Sequence, residues 1–301
     1  MAGELTIRPA RPDDRLAVER ICAQTWDWGD YVPEVWDDWL TDERGVLLVG
    51  ELGATGERVV ALSKITFHSP DQVWLQGMRV DPGYRRRGIA GRFLDYGIAH
   101  ARKHGARVVR LGTGGHNTPV HNMVARAGMV RVGNYVLWIA EPLPDGSLPT
   151  FLTPDDAPRA QAFLKSSPLL AYTRVLYSFD WVWQELSAER VTHFLAAGQV
   201  VAQFSPAGGL AALALIRFDP DDETLWVGFA DGHPPAVTVL AMAIRAHAAQ
   251  VGAQKAWVML PDVAWLRESF RAAGYDFGDW DGELWIFERW LAQNSEDDHD
   301  G

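Results

Sequence analysis

Two stretches of this 301-residue sequence are framed in the same way. Gly105-Ala106 to Ala127-Gly128 spans 24 residues, and Gly252-Ala253 to Ala273-Gly274 spans 23. Each encloses an apolar strand and a short helix, and each follows a longer helical stretch, Gly88–His104 and Pro235–Val251. The openings match too: Arg8–Asp14 and Leu152–Asp156 both read as a strand end followed by Pro-Asp-Asp, a helix-start signal. An internal period of this kind predicts two copies of one α/β unit. The Pro/Gly/Ser-rich stretch Pro142–Pro149 reads as the linker, which sets the expected domains at 1–145 and 150–291. The acidic residues 292–301 read as a disordered tail.

The first copy reads as β-α-α-β-β-β-α-β-α-β-β. Gly45–Glu51, Arg58–His68 and Gln72–Val80 are three Val- and Leu-rich strands separated by turn residues, so they form an antiparallel meander. The predicted class is α/β of the α+β kind: a mixed, mostly antiparallel sheet flanked by helices, built twice.

Composition limits the function. With 48% hydrophobic and 22% charged residues, the chain is globular. No apolar run reaches the length of a membrane span, and no secretory leader is evident at Met1–Ile7, so a soluble cytoplasmic protein without a membrane partner is expected. Cys22 is the one cysteine, which rules out an intrachain disulfide and a multi-thiolate zinc site; no metal is expected. Residues 1–145 hold 18 charges of each sign, whereas residues 146–301 hold 10 basic against 21 acidic. Arg79–Arg110 alone carries nine basic residues against Asp81 and Asp95. A short anion would be drawn to that stretch, while the acidic second half would repel nucleic acid. Monomer and homodimer are both compatible with the sequence.

The most specific tract is Val80-Asp81-Pro82-Gly83-Tyr84-Arg85-Arg86-Arg87-Gly88-Ile89-Ala90-Gly91, between a strand and a helix. Small residues let the backbone approach a ligand, and the N–H groups of a helix start, with three arginines, favour an anion such as pyrophosphate. A basic, solvated helix start would look the same. No Gly-Lys-Ser/Thr follows, which argues against a Walker loop.

Arg85-x-x-Gly88-x-Ala90 after Met78-Arg79-Val80, with Asn117 and then Gly128-Met129, resembles the GCN5-related N-acetyltransferases (GNAT). The resemblance covers the first half in the family's order of elements and implies two tandem GNAT-like domains. It further implies acetyl-CoA as co-substrate, with its pyrophosphate on the N–H groups of Arg85, Arg86, Arg87, Gly88, Ile89 and Ala90. Pantetheine would lie along Met78, Arg79 and Val80 in a gap between strands. Asn117 would contact it or, equally, cap the helix at Thr118. Asp30-Tyr31, Pro33, Trp36, Trp39-Leu40, Gly77–Pro82, Trp265, Phe270 and Ala273-Gly274 are similar, in patches, to the vertebrate histidine N-acetyltransferases, which implies the α-amine of a free amino acid as acceptor.

The second copy's matching tract, Gly228–Ala236, has no arginine, adds Asp231 and places Pro234 and Pro235 where N–H donors are needed, so this copy is expected to be degenerate. The family's usual basic Glu and acidic Tyr correspond to Gln76 and Val124, neither of which can do that work. His121, His116 and Tyr31 are therefore the candidate proton carriers, with Gln76 a hydrogen-bonding group near the acceptor. Asp30, Tyr31 and Trp36 would wall the acceptor. The function expected is acetyl-CoA-dependent N-acetylation of a small-molecule amine. Its alternatives are a polyamine, aminoglycoside or protein N-terminus as acceptor, or a non-catalytic acyl-CoA sensor.

Overall fold

The computed structural model describes residues 4–25, 29–53, 58–277 and 282–292. In chain order the elements are β1 (Leu5–Pro9), α1 (Arg15–Cys22), α2 (Trp36–Thr41), β2 (Gly45–Leu52), β3 (Arg58–Ser69), β4 (Gln72–Val80), α3 (Ile89–Lys103), β5 (Val108–Gly114), α4 (Thr118–Arg126) and β6 (Val130–Ala140). There follow β7 (Thr150–Phe151), α5 (Ala157–Lys165), α6 (Pro168–Tyr172), β8 (Leu176–Phe179), β9 (Val182–Glu185), α7 (Ala188–Ala196), β10 (Val200–Phe204), β11 (Leu210–Asp219) and β12 (Thr224–Gly232). The last are α8 (Pro234–Val251), β13 (Lys255–Pro261), α9 (Ala264–Ala272), β14 (Asp276–Phe277) and β15 (Glu283–Trp290).

The chain forms two compact units. The first comprises residues 1–111, 118–131 and 287–301. Its strands run β1-β2-β3-β4-β5 and then the end of β15, antiparallel through β4 and parallel between β4 and β5. Neighbouring strand residues point to opposite faces. Val49 packs with Val18, Ile21, Cys22 and Trp36 of α1 and α2, while a Cβ at Gly50 would press on Phe93 of α3. Helices thus cover both faces. The helix-start signals behave as their chemistry requires: Asp14 accepts the Arg11 N–H at 2.7 Å, and Asp156 accepts that of Thr153 at 3.0 Å.

The second unit comprises residues 112–117 and 132–286. β10-β11-β12 repeats the meander of β2-β3-β4, α8 repeats α3, and β13 lies parallel to β12 as β5 does to β4. The sheet continues to β6, antiparallel to β13 from Ala140 through Tyr135. The hairpin β8-β9 forms a separate sheet.

Two expectations about the boundary change. The linker is not where the units part, because Leu143 donates its N–H to the Arg245 carbonyl at 3.0 Å and Arg245 Nε donates to Glu141 O at 2.8 Å, which holds this stretch on α8. The expected closing pair of strands in the first copy is one strand, β6, whose residues from Val132 on belong to the second unit. In return, Phe287–Trp290 of β15 belong to the first. The expected tail lies outside the described residues, apart from Ala292.

The exchanged strand is held by a buried ion pair. Arg110 Nε lies 3.1 Å from Glu288 Oε2, with the side chains 3% and 1% exposed. Arg110 also donates to Gln72 Oε1 at 3.0 Å, Trp290 Nε1 donates to Glu288 Oε1 at 2.9 Å, and the Arg107 guanidinium covers the Trp290 ring at 4.8 Å. Removing one partner of such a pair strands a buried charge, whereas replacing both with apolar residues is close to neutral. Glu288→Ala is therefore expected to cost about 3–5 kcal/mol in urea unfolding and Arg110→Met/Glu288→Leu much less; equal losses in the two proteins would refute that account.

Candidate active site

β4 carries one residue more than its partner strand. Lys64 faces Gln76 and Leu62 faces Arg79, so Ser63 is opposed by both Gly77 and Met78. Gly77 has a φ of +67°, and a Cβ on it would lie 2.5 Å from the Trp39 ring. Glycine is required here twice over, for its left-handed backbone and for the indole lying against it. The parallel ladder to β5 covers only Gln72–Trp74 against Val108–Arg110 and stops before the bulge. The backbone of Met78–Val80 is thereby released from β5 and can take up an extended ligand.

The loop that follows exposes three arginines ahead of α3. Asp81 accepts the Gly83 N–H at 2.9 Å, which closes one turn at Pro82–Tyr84. Arg85 is extended, Arg86 is left-handed at φ +62°, and Gly88 is left-handed at +77°. α3 then begins, its first helical bond running from the Arg92 N–H to Gly88 O at 3.1 Å. The N–H groups of Ile89, Ala90 and Gly91 therefore have no helical carbonyl ahead of them. Arg85 and Arg87 fold back, Nε of the former donating to Val80 O and Nη2 of the latter to Gly83 O, each at 3.2 Å. Nothing lies within 4 Å of a Cβ built on Gly88 or Gly91, so the helix start is open to a ligand.

On the α1–α2 side of β4, Asp30 and Arg79 form a bidentate ion pair at 2.7 and 3.0 Å. Their side chains are 1% and 8% exposed. Arg79 Nη1 also donates to Met78 O at 3.3 Å, which ties the pair to the bulge, and its guanidinium covers the Tyr31 ring at 5.3 Å. Tyr31 meets Trp39 edge to face at 5.9 Å. Desolvation raises the Tyr31 hydroxyl pKa, with Arg79 opposing. Beneath this wall, fully buried Lys64 pairs with Asp42 at 3.1 Å and donates to Trp39 O at 3.2 Å. Burial pulls its pKa down, and Asp42 works against that.

Residues 14–129 match the family model Acetyltransf_1, described as Acetyltransferase (GNAT) family. That stretch, less than half of the chain, is similar to the family. Among solved structures, a GCN5-related N-acetyltransferase from Sphaerobacter thermophilus superposes with a TM-score of 0.62 at 14% identity, covering 95% of each chain. A GCN5-related glucosamine N-acetyltransferase region of a fungal multi-domain GH3 β-N-acetylglucosaminidase superposes with a TM-score of 0.60 at 13% identity, over 95% of this chain and 38% of that one. At these identities the likeness is one of fold. No curated protein matches the sequence.

Within the matched stretch the structure gathers Met78, Arg79, Val80 and the loop Arg85–Ala90 around one strand end. Ile89 is a core side chain at 5% exposure, so only its N–H is available. Two assignments to the acceptor wall change. Trp36 is buried in the core with Val18 and Ile21, and it is Trp39 that lies against Gly77 of β4. Asp30 is neutralised by Arg79 and is not a free anchor for an ammonium group. Gln76 donates to Thr66 Oγ1 at 3.4 Å. His121, on α4, lies 5.6 Å from the Phe287 ring, and Val124, on the same helix, is fully buried. His116 and Asn117 belong to the second unit, where Asn117 Nδ2 donates to Thr113 Oγ1 at 3.1 Å and His116 is exposed.

The second unit repeats the bulge without the loop. Leu215 faces Phe229 and Ile216 faces Val227, which leaves Gly228 as the extra residue, and a Cβ there would lie 2.6 Å from the Phe179 ring. β12 then runs almost directly into α8, with His233 as its cap and prolines in its first turn. Asp231 is buried, accepts from Ser167 Oγ and from the Gly232 N–H, and has its pKa raised by desolvation. The space beside Gly228 and Val258–Pro261 is a cavity of about 20 Å³, room for a single water.

Sequence reasoning did not single out Lys64 or the contact of Trp39 with Gly77; glycine inside an otherwise apolar strand was the available signal for the bulge. Gly77→Ala is expected to cost about 1–2 kcal/mol from its φ alone and more from the indole contact. In a Trp39→Ala background the second part should vanish, so a urea double-mutant cycle should show coupling of about 1 kcal/mol. Strict additivity would refute the packing argument.

Proposed function

We propose that this chain is an acetyl-CoA-dependent N-acetyltransferase acting on the amine of a small molecule, with the α-amine of a free amino acid as the favoured acceptor. The observation that carries the reading is the bulge at Gly77-Met78, followed after one short turn by the left-handed arginine loop at the head of α3. The loop offers N–H donors and positive charge to the pyrophosphate of the co-substrate, and the released edge of β4 offers backbone partners to its extended arm. In the reaction the amine adds to the thioester carbonyl, the oxyanion collapses, and coenzyme A leaves as a thiol after taking up a proton. A backbone N–H of the bulge is suited to the oxyanion.

The amino-acid acceptor rests on the patchy likeness to the histidine N-acetyltransferases and on Asp30. With that carboxylate committed to Arg79, Asp30 does not offer a free anion to a polyamine or aminoglycoside. His121 is the proposed proton carrier, because Gln76 has no useful basicity and Val124 has no proton to give. Among the described residues no helix is long and apolar enough to cross a membrane; a cytoplasmic setting and freedom from nucleic-acid and membrane partners belong to this proposal, with monomer and homodimer both open.

A second reading, a non-catalytic acyl-CoA sensor, is favoured by Gln76 and Val124 standing where a base and an acid are usual. Thiol release from acetyl-CoA against panels of amino acids, polyamines and aminoglycosides, with co-substrate binding measured in parallel, separates the two. Turnover with an amino acid supports the proposal, and tight binding without turnover on any acceptor favours the sensor. Arg85→Glu/Gly88→Glu should abolish acetyl-CoA binding with the fold intact, and unchanged affinity would refute the loop assignment. His121→Ala should lower turnover by about a hundredfold with little change in acetyl-CoA affinity; an unchanged rate would remove it from the chemistry.

A further inference from the structure

At the end of the first unit's sheet remote from β15, one strand edge is open. Among the described residues β1 pairs with β2 alone. Ala10, just past β1, donates its N–H to Leu47 O at 2.8 Å, and bonded positions alternate along an antiparallel pair. Arg8 and Thr6 therefore turn their backbone groups to β2, while Leu5, Ile7 and Pro9 turn theirs outward. The side chains agree with that direction, because Leu5 O accepts from Arg92 Nη2 of α3 at 2.7 Å. Pro9 has no N–H to offer. Its carbonyl takes one bond, from Arg8 Nη1 at 2.9 Å, which leaves a second lone pair. The N–H of Leu5 and both polar groups of Ile7 complete the outward row and face no strand among the described residues. Beside them lies an open groove of about 390 Å³ lined by Ile7, Arg92, Asp95 and Tyr96. An edge of this kind is a template for a further strand.

We propose that β1 is the interface of a two-fold homodimer, in which Ile7 lies opposite the same residue of a second copy and the two sheets become continuous. The edge matches its own image. Opposite residues of a bonded antiparallel pair exchange both N–H···O=C bonds, so the two Ile7 residues satisfy each other completely. Two positions along, Leu5 of each copy meets Pro9 of the other. Only one bond forms there, from the Leu5 N–H to the Pro9 carbonyl, because proline has no donor to return. The acceptor that this would orphan is Leu5 O, and that is the one Arg92 already serves. Charge fits in the same way. A two-fold axis at Ile7 lays the two α3 helices antiparallel on one face of the joined sheet, which brings the exposed Arg92 of each copy toward the exposed Asp95 of the other. Donors, acceptors and both signs of charge thus stand in self-complementary places, which is why a second copy is the occupant and not an unrelated strand.

The dimer stands independently of the acyl-transfer reading and is tested on the full chain. Sedimentation velocity over a concentration series should show a reversible monomer–dimer equilibrium. In hydrogen exchange the amides of Leu5 and Ile7 should gain protection as concentration rises, whereas those of Thr6 and Arg8, bonded to β2, should be protected throughout. Ile7→Pro removes the central donor at a position that gives β2 no bond, so it should keep the circular dichroism spectrum and weaken the dimer by about tenfold or more. Asp95→Arg, on the exposed face of α3, should weaken it too by setting like charges together, with the fold unchanged. A monomer at every concentration would overturn the proposal. So would a dimer that leaves the Leu5 and Ile7 amides unprotected, or one that both variants retain at full strength.

Discussion

The first unit's site depends on a glycine in left-handed backbone held under an indole. Gly77 has the φ and the missing side chain that allow Trp39 to lie against β4. The extra residue that this accommodates is the point beyond which β4 and β5 no longer pair. The Asp30–Arg79 pair reinforces the same place, because Arg79 also binds Met78 O. Lys64 acts from below by holding the Trp39 carbonyl. Backbone geometry, a stacked wall and a buried charge network thus converge on three residues of one strand. The second unit keeps the geometric half of this device, with Phe179 over Gly228, and has no arginine loop between its strand and α8.

Much of the architecture was legible in the sequence because its signals are local. Turn residues separate β2, β3 and β4, the Pro-Asp-Asp openings start both copies, and paired glycines frame the β5–α4 and β13–α9 stretches. The loop from Arg85 to Ala90 was legible for the same reason: its conformation follows from its own residues and the helix after it. The exchange of β6 and β15 was not, since an apolar strand has no local mark that says which of two similar sheets it joins. Arg110 and Glu288 specify that choice, and their partnership spans most of the chain.

The surroundings of the residues expected to wall an acceptor were legible only in part, and for a related reason. Tyr31 and Asp30 sit where their place before α2 suggested, yet what they do is set by Arg79, far along the sequence. An acid near an amine-binding site reads as an anchor until its counter-charge is known. Trp36 and Trp39 differ by less than one helical turn, and which of them faces the core depends on how α2 lies on β2 and β3. Helical periodicity in a six-residue element is too short to decide that.

The exchanged strand also imposes an order on synthesis. Everything from Val132 to Ile286 lies between the first unit's own α4 and the strand that finishes its sheet. While those residues are being translated, β5 has an open edge and Arg110 has no carboxylate from Glu288. Domains that form from contiguous sequence can fold as they emerge; this one must wait for its last strand. The arginine loop is encoded early, in a unit whose sheet is completed only by the last strand of the chain.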